Sequence, residues 1–304
     1  YLDPAFFLGG RMRLDKESAA RAIEEKVAKP LAMDVVQAAW GIHEIVNENM
    51  ANAARVHCVE RGKDPRVYPL FAFGGAGPVH AVRVAEILRV PSVICPLGAG
   101  VQSALGLLCA PLAFDLVRSH FGSLDEADWD AVNALLREMA EEGERMLLAA
   151  GVARKDIHRE RSCEMRYAGQ GHEVRVPLPE EPLKAEDLLA NFEAVYQQLY
   201  GRISPDVPVE TLNWRMTVRG PRPNVRMKPV GELQPLGAAL KGHRPAYFPE
   251  AKGYVSTPVY DRYELCAGHS FVGPAILEER ECTVVVGPRA TVSVDGYANV
   301  VIEL

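Results

Sequence analysis

The sequence lacks closely spaced pairs of cysteines. Its six cysteines stand at positions 58, 95, 109, 163, 266 and 282, so none forms a C-x-x-C pair or has the spacing of zinc ligands. We therefore interpret them as reduced, mostly buried thiols of a cytosolic protein, and predict no metal held by protein ligands. An excess of positive charge is missing too. The formal net charge of -6 argues against a nucleic-acid partner.

Long apolar runs are also absent. No run approaches the ~18 residues that a membrane span needs, so no membrane partner is predicted. The opening Tyr1-Leu2-Asp3-Pro4 lacks the basic and apolar segments of a secretion signal, and the absence of an initial Met is expected for a fragment or a processed chain. What is present is ordinary globular composition: 48% of the residues are hydrophobic and 24% are charged. The length allows two domains.

The first third of the chain has the pattern of an α/β unit. Apolar residues recur at three- and four-residue steps over 32–61 and predict a long helix with one apolar face. Segment 67–110 then predicts strand, glycine turn and helix twice over, with the turns at Gly74–Gly77 and at 98–100. This order is typical of a parallel sheet, and we expect the long helix to pack on it.

The rest of the chain has a different character. We predict one domain over residues 1–115 and a second, β-rich α+β domain over residues 116–304. Within the second, Gly169-Gln170-Gly171 lies between two short apolar segments and predicts a hairpin. The Pro- and Gly-rich stretch 220–252 predicts a long surface loop. From residue 253 onward, short β segments are separated by glycine turns.

The turn at Gly74–Gly77 is the most informative local feature. Glycines after a strand let the backbone approach a ligand, and the following helix directs free N–H groups to the same place. Two nucleotide motifs fail there: no G-x-x-x-x-G-K-[ST] run exists, and G-x-G-x-x-G lacks its third glycine because His80 stands at that position. By spacing alone, a plain strand-to-helix turn is the favoured alternative.

Six sequence segments occur in one order along the whole chain. They are FFLGGRMRLD (6–15), GIHEIVNENMANAAR (41–55), FAFGGAGPVHA (71–81), PLGAGVQSALGLL (96–108), MRYAGQGHEVRVP (165–177) and GPAILEERECTVVV (273–286). Taken together, these segments resemble the hydantoinase A/oxoprolinase family, which includes N-methylhydantoinase, 5-oxoprolinase and ketone carboxylase subunits.

The resemblance implies the second lobe of an actin-like ATPase of the ribonuclease H-like fold, followed by the β-rich domain. In such folds two D-x-G-G-T turns hold the ATP phosphates with Mg²⁺, and a later glycine turn contacts the adenosine. No D-x-G-G-T occurs in this sequence, so the phosphate turns are expected in an N-terminal half of the same subunit. The later turn matches the predicted nucleotide-binding residues Gly74, Gly75, Ala76, Gly77 and His80.

Other polar residues are weaker candidates. Ser103 at the second turn, and Gln170 and His172 at the hairpin, could face a substrate or an interface; a packed small residue and a simple turn are the alternatives. The helix before the adenosine turn could also flank the base, although a solvated helix face is the favoured interpretation for its polar residues. These residues are Glu44, Asn47, Glu48 and Asn52.

Three functions remain open from the sequence. The first is ATP-dependent opening of a small cyclic amide, of the hydantoin or 5-oxoproline type, through a phosphorylated intermediate. The second is ATP-dependent carboxylation of a ketone. The third is a non-catalytic assembly module, in which the β-rich domain binds another subunit. The resemblance implies a hydantoinase B-type subunit as partner, and predicts that the isolated chain is inactive and exposes an unusually apolar face.

Overall fold

The computed structural model describes residues 1–179, 182–227 and 234–304. The helices are α1 (Lys16–Ile23), α2 (Val35–Glu60), α3 (Gly77–Leu88), α4 (Gln102–Cys109), α5 (Trp129–Ala149) and α6 (Ala185–Tyr200). The strands are β1 (Leu70–Phe71), β2 (Ser92–Cys95), β3 (Ala113–Ser123), β4 (His158–Tyr167), β5 (Val174–Pro177), β6 (Val209–Arg219), β7 (Leu240–Phe248), β8 (Gly253–Asp261), β9 (Ser270–Val272), β10 (Ala275–Glu278), β11 (Thr283–Val286), β12 (Thr291–Val294) and β13 (Val300–Glu303).

The chain forms two compact units. The first contains residues 1–107 together with 226–304, and the second contains residues 108–225. The last strands of the chain therefore belong to the same unit as the first glycine turn. The domain boundary predicted between residues 115 and 116 stays a prediction. The compact units divide the chain elsewhere, between residues 107 and 108 and between residues 225 and 226.

The first unit is built on two sheets. One has the strand order β1-β2-β13-β12-β9, and the other has the order β11-β10-β8-β7. Strands β1 and β2 are parallel, as the sequence predicted, whereas β13 joins β2 in antiparallel fashion. Helices α2 and α3 share one apolar core with both sheets, and Ala51 of α2 and Ala85 of α3 are fully buried in it. The predicted packing of the long helix on the α/β unit is confirmed.

The second unit has a sheet of order β3-β6-β4-β5 packed against α5 and α6. Strands β4 and β5 pair in antiparallel fashion from Ser162–Pro177 to Met165–Val174, which confirms the predicted hairpin. Trp214 of β6 is fully buried in the core of this unit. The fold-class prediction of a mixed α/β protein with several sheets is confirmed.

The predicted surface loop over 220–252 is wrong at residues 240–248. Strand β7 lies there and pairs along its length with β8. It is an edge strand, where Pro245 is tolerated because one side of an edge strand needs no ladder hydrogen bonds. Gly242 sits at a register shift with a φ of +150°, so the glycine marks a bulge rather than a loop. Residues 228–233 of the predicted loop lie outside the described residues.

Helix α5 lies so close to its sheet that a glycine is required at the contact. A Cβ on Gly143 would stand 2.2 Å from Cγ2 of Val218 on β6. We expect Gly143→Ala to lower the free energy of unfolding by about 1–3 kcal/mol, because the added methyl overpacks the core. Urea unfolding measures this.

The matched control is Gly41→Ala in α2, where an added Cβ meets no atom within 4 Å. There the better helix propensity of alanine should leave stability unchanged or raise it by up to about 1 kcal/mol. A Gly143→Ala variant as stable as the unsubstituted protein would contradict the close contact between helix and sheet.

Candidate functional site

The turn at Gly74–Gly77 joins β1 to α3 and presents accessible backbone. Gly74 has a φ of +92°, and its N–H donates to the Ala99 carbonyl at 2.8 Å. A Cβ on Gly77 would meet no atom within 4 Å, and one on Gly75 would meet the Glu281 carbonyl oxygen at 3.5 Å, an ordinary contact. Internal packing therefore does not require the glycines at 75 and 77. Their open surroundings are what a backbone that receives a ligand needs.

The second turn, at 98–100, has a different reason for its glycines. Gly98 has a φ of +71°. A Cβ on Gly100 would lie 2.5 Å from Cβ of Glu281 and 2.7 Å from its carbonyl oxygen. The second turn is therefore packed against the segment that joins β10 to β11, and this contact fills the space that a ligand would need.

A buried carboxylate holds the second turn. Glu279 Oε1 accepts a hydrogen bond from the Gly98 N–H at 3.3 Å, and its Oε2 accepts one from the Cys282 thiol at 3.2 Å. The Arg262 guanidinium, also fully buried, places Nε 3.6 Å from Oε1 and donates to the Ala298 carbonyl. Burial raises the pKa of Glu279, and the Cys282 hydrogen bond and the Arg262 charge offset part of that rise.

A cavity of about 360 Å³ opens beside the first turn. Its lining comprises Leu2, Asp3, Phe6, Phe7, Leu8, Gly75, Ala76, Val79, His80, Glu278, Glu279, Arg280, Glu281, Cys282 and Thr283. The apolar side chains come from the first residues of the chain and from α3. The carboxylates are those of Asp3, of Glu278 at the end of β10, and of Glu279 and Glu281 in the β10–β11 connection, which also contributes the Arg280 guanidinium. The lining therefore combines an apolar wall with charged groups of both signs, in which carboxylates predominate.

His80 lines this cavity and is hydrogen-bonded to a side chain of α2. Its Nδ1 lies 2.8 Å from Oδ1 of Asn47, and Nδ2 of Asn47 lies 2.9 Å from Nδ1 of His43. The two imidazole rings stack with their centroids 4.6 Å apart. Burial, reinforced by His80 and Arg83, lowers the pKa of His43 to about 4, and burial also lowers the pKa of His80. These shifts favour the neutral form of both rings at pH 7.

The other sequence candidates are not among the residues that line this cavity. Ser103 is exposed on α4 and is not part of the lining. Gln170 belongs to the second unit, where it donates to the Tyr196 hydroxyl at 2.7 Å and accepts from the Tyr167 N–H. Those bonds tie the hairpin to α6, so the structure shows a structural contact for Gln170. His172 is exposed on the same hairpin.

Sequence reasoning missed the buried acid, and for the central amide it named the residue but favoured the wrong environment. Glu279 stands in the run Glu278-Glu279-Arg280-Glu281, which has the composition of a solvated turn. Asn47 was placed with a solvated helix face, yet it is 1% exposed. The segment GPAILEERECTVVV was a usable signal for the first, because it was one of the six family segments. Asn47 has polar neighbours at positions 44, 48 and 52 of the same helix, so no sequence pattern indicates that Asn47 is buried.

The described ranges 1–179, 182–227 and 234–304 lack two features. In them, no group of three or more His, Cys, Asp or Glu side chains is placed to hold a metal ion. Nor does any helix within those ranges have the length and apolar character needed to cross a membrane.

Comparison with protein families assigns the chain to a class. The hydantoinase/oxoprolinase model matches residues 1–116, and the hydantoinase/oxoprolinase C-terminal domain model matches residues 124–302. The chain belongs to the hydantoinase/oxoprolinase family, and the prediction of that family is confirmed.

Two relatives show how far the likeness extends. The caprolactamase subunit alpha of Pseudomonas jessenii is 32% identical over 98% of this chain and 44% of its own length. The acetophenone carboxylase gamma subunit of Aromatoleum aromaticum is 31% identical over 100% of this chain and 43% of its own. The chain thus spans less than half the length of these relatives.

Solved structures agree with the sequence comparison. The crystal structure of the ATP-dependent caprolactamase from Pseudomonas jessenii matches all of this chain with a TM-score of 0.76 and 31% identity, over 45% of its own chain. The nucleotide-free structure of an acetone carboxylase, an enzyme whose acetone carboxylation is described as ATP-dependent, matches all of this chain with a TM-score of 0.73 and 26% identity. The match covers 45% of the acetone carboxylase chain.

Removal of the buried acid tests its structural role. We expect Glu279→Leu to lower the free energy of unfolding by roughly 3–5 kcal/mol, because the Arg262 guanidinium would be left buried without its counter-charge. Urea unfolding provides the measurement.

The control is the double variant Glu279→Leu/Arg262→Met, in which both charges are replaced by apolar side chains. It should recover much of the lost stability, since an apolar pair of similar volume avoids the unpaired buried charge. Equal losses in the single and double variants would contradict the pairing.

Proposed function

We propose that this chain is part of an ATP-dependent subunit that opens a small cyclic amide, of the hydantoin or 5-oxoproline type, through a phosphorylated intermediate. The observation that carries the proposal is the accessible glycine backbone of Gly75 and Gly77 beside the cavity that His80 lines. The names of the relatives support the reaction class, because caprolactam is a cyclic amide and its hydrolase is described as ATP-dependent.

The cavity fits the adenosine portion of ATP better than the phosphates. Asp3 and Glu281 contribute carboxylates to its wall, beside the Arg280 guanidinium, and these carboxylates repel a phosphate but accept hydrogen bonds from ribose hydroxyls or an adenine amino group. The Arg280 guanidinium lies over the Tyr263 ring, 5.7 Å from its centroid. We therefore assign Gly74, Gly75, Ala76, Gly77 and His80 to the adenosine side of the nucleotide.

The phosphates and Mg²⁺ are proposed to be held by an N-terminal half of the same subunit. When bound, ATP supplies the phosphoryl group that activates an otherwise unreactive amide oxygen, and this chain orients its nucleoside end. The exposed apolar side chains of the first unit support a covering partner segment. They include Ile45, Val56, Val59, Phe71 and Phe73. The relatives' names as subunits support a multi-subunit enzyme, and we propose a hydantoinase B-type partner.

Ketone carboxylation is the second candidate. The acetophenone carboxylase subunit is 31% identical to this chain and caprolactamase 32%, so identity does not separate the two reactions. Both would use the same nucleoside site. Incubation of the full-length protein with Mg-ATP and either 5-oxoproline, a hydantoin, or acetone with bicarbonate distinguishes them by which substrate stimulates phosphate release.

Gly75→Asp tests the nucleotide assignment. The substitution adds a carboxylate to a wall that is already acidic and occupies space beside the turn. In the full-length protein, ATP affinity should fall by at least about tenfold, or ~1.4 kcal/mol, with a smaller effect on the thermal midpoint. Isothermal titration and thermal unfolding are the measurements.

Gly171→Asp is the matched control for that experiment. It makes the same change on the exposed hairpin, where an added Cβ meets no atom within 4 Å. ATP affinity should stay unchanged in this variant. A folded Gly75→Asp protein that binds ATP as tightly as the control would refute the assignment of the turn.

The isolated 304-residue chain should fold but release no phosphate. Each charge-assisted hydrogen bond is worth roughly 1.5–3 kcal/mol, so loss of the phosphate contacts should leave ATP binding weak or undetectable. The purified chain is incubated with Mg-ATP and 5-oxoproline or a hydantoin while phosphate is measured. Substrate-stimulated turnover by this chain alone would place the phosphate-holding groups within it and contradict the proposal.

A further inference from the structure

A single buried amide joins two histidines behind the cavity. Asn47 lies one helical turn after His43 on α2, so both side chains are on one face of that helix. The Asn47 amide nitrogen lies 2.9 Å from Nδ1 of His43, and its oxygen lies 2.8 Å from Nδ1 of His80 on α3. Asn47 is 1% exposed, so water does not compete for these bonds.

The amide imposes a proton position on each ring. Its oxygen only accepts hydrogen bonds, so His80 must carry a proton on Nδ1. Its nitrogen only donates, so His43 must present a bare Nδ1. With both rings in the neutral form, the remaining nitrogen of His80, Nε2, has a free lone pair, and His43 carries its proton on Nε2.

The free lone pair of His80 belongs to a residue that lines the cavity. Its neighbours in the lining are Gly75, Ala76 and Val79. No group within the described part of the chain bonds to Nε2 of His80, and that atom is not among the buried polar atoms without a partner. Nε2 of His43, by contrast, is buried and has no partner in the described residues. Of the two rings, that of His80 belongs to a residue that lines this cavity and has an Nε2 that is not buried without a partner.

We propose that Asn47 and His43 are positioning residues that fix His80 as its Nδ1–H tautomer, so that His80 Nε2 accepts a hydrogen bond from an O–H or N–H group of the ligand. The ligand class is a neutral, donor-bearing nucleoside portion, and this part rests on the proposed function. The tautomer follows from the contacts of Asn47 alone. Together with the wall carboxylates, His80 makes the cavity a set of acceptors that selects for donors.

The tautomer is tested by NMR of the chain labelled with ¹⁵N-histidine, above the pH at which histidines titrate. The His80→Gln variant identifies the His80 signals. In the unsubstituted protein, Nδ1 should have the shift of a protonated ring nitrogen and Nε2 that of a bare one. The reverse assignment would mean that the oxygen and nitrogen of the Asn47 amide have exchanged positions, and it would overturn the proposal.

Asn47→Leu tests the positioning role. Without the amide, His80 should shift toward the Nε2–H tautomer, whereas Asn49→Leu, an equivalent change at an exposed site on the same helix, should leave it unchanged. An unchanged His80 in Asn47→Leu overturns the role of Asn47. His43→Phe keeps an aromatic ring and releases the amide, so it provides a second test if Asn47→Leu does not fold.

Ligand binding is tested separately with adenosine in the full-length protein. Loss of one acceptor should weaken adenosine about three- to tenfold in Asn47→Leu, while Asn49→Leu binds as before. Equal affinity in both variants would overturn the acceptor role of His80. If the unsubstituted protein binds no adenosine, the proposed function fails together with this nucleoside contact. The NMR result still decides the tautomer, so the two failures are distinguishable.

Discussion

The fully buried Glu279 carboxylate fixes the geometry on which the candidate site depends. It accepts the Gly98 N–H, and the turn that begins at Gly98 in turn accepts the Gly74 N–H through the Ala99 carbonyl. One acid therefore holds the second turn, and the second turn holds the first. A charge buried this deeply is tolerated only when it is paired and hydrogen-bonded, and Arg262 and Cys282 meet that condition.

The same acid-bearing segment gives the cavity its electrostatic character. The β10–β11 connection crosses close to both glycine turns, and its Glu281 backbone lies where a Cβ on Gly100 would be. The connection therefore brings carboxylates to the cavity wall as a consequence of bracing the turns. The Glu281 carboxylate repels a phosphate at close range, so the phosphates of the nucleotide proposed for this site extend away from it, toward groups of opposite charge.

Local patterns predicted the elements that local forces determine. The long α2 helix, the glycine turn before α3 and the β4–β5 hairpin each have a short-range signal in periodicity or turn chemistry. Strand β7 was missed because Pro245 and Gly242 are typical of loops, and only the pairing with β8 at a sheet edge makes them compatible with a strand. Tertiary pairing of that kind has no local signature.

Asn47 and Glu279 were hidden for a related physical reason. Each stands among other polar residues of similar type, and residue type alone does not show which of them is buried. What distinguishes Asn47 is that its two amide atoms meet opposite needs on two histidines, one contributed by its own helix and one by α3. An apolar residue would fill the same space but leave both ring orientations and both proton positions unspecified. A buried polar residue is costly unless its groups are bonded, so an amide bonded at both ends between two helices is a stronger indication of a functional position than polarity within one helix.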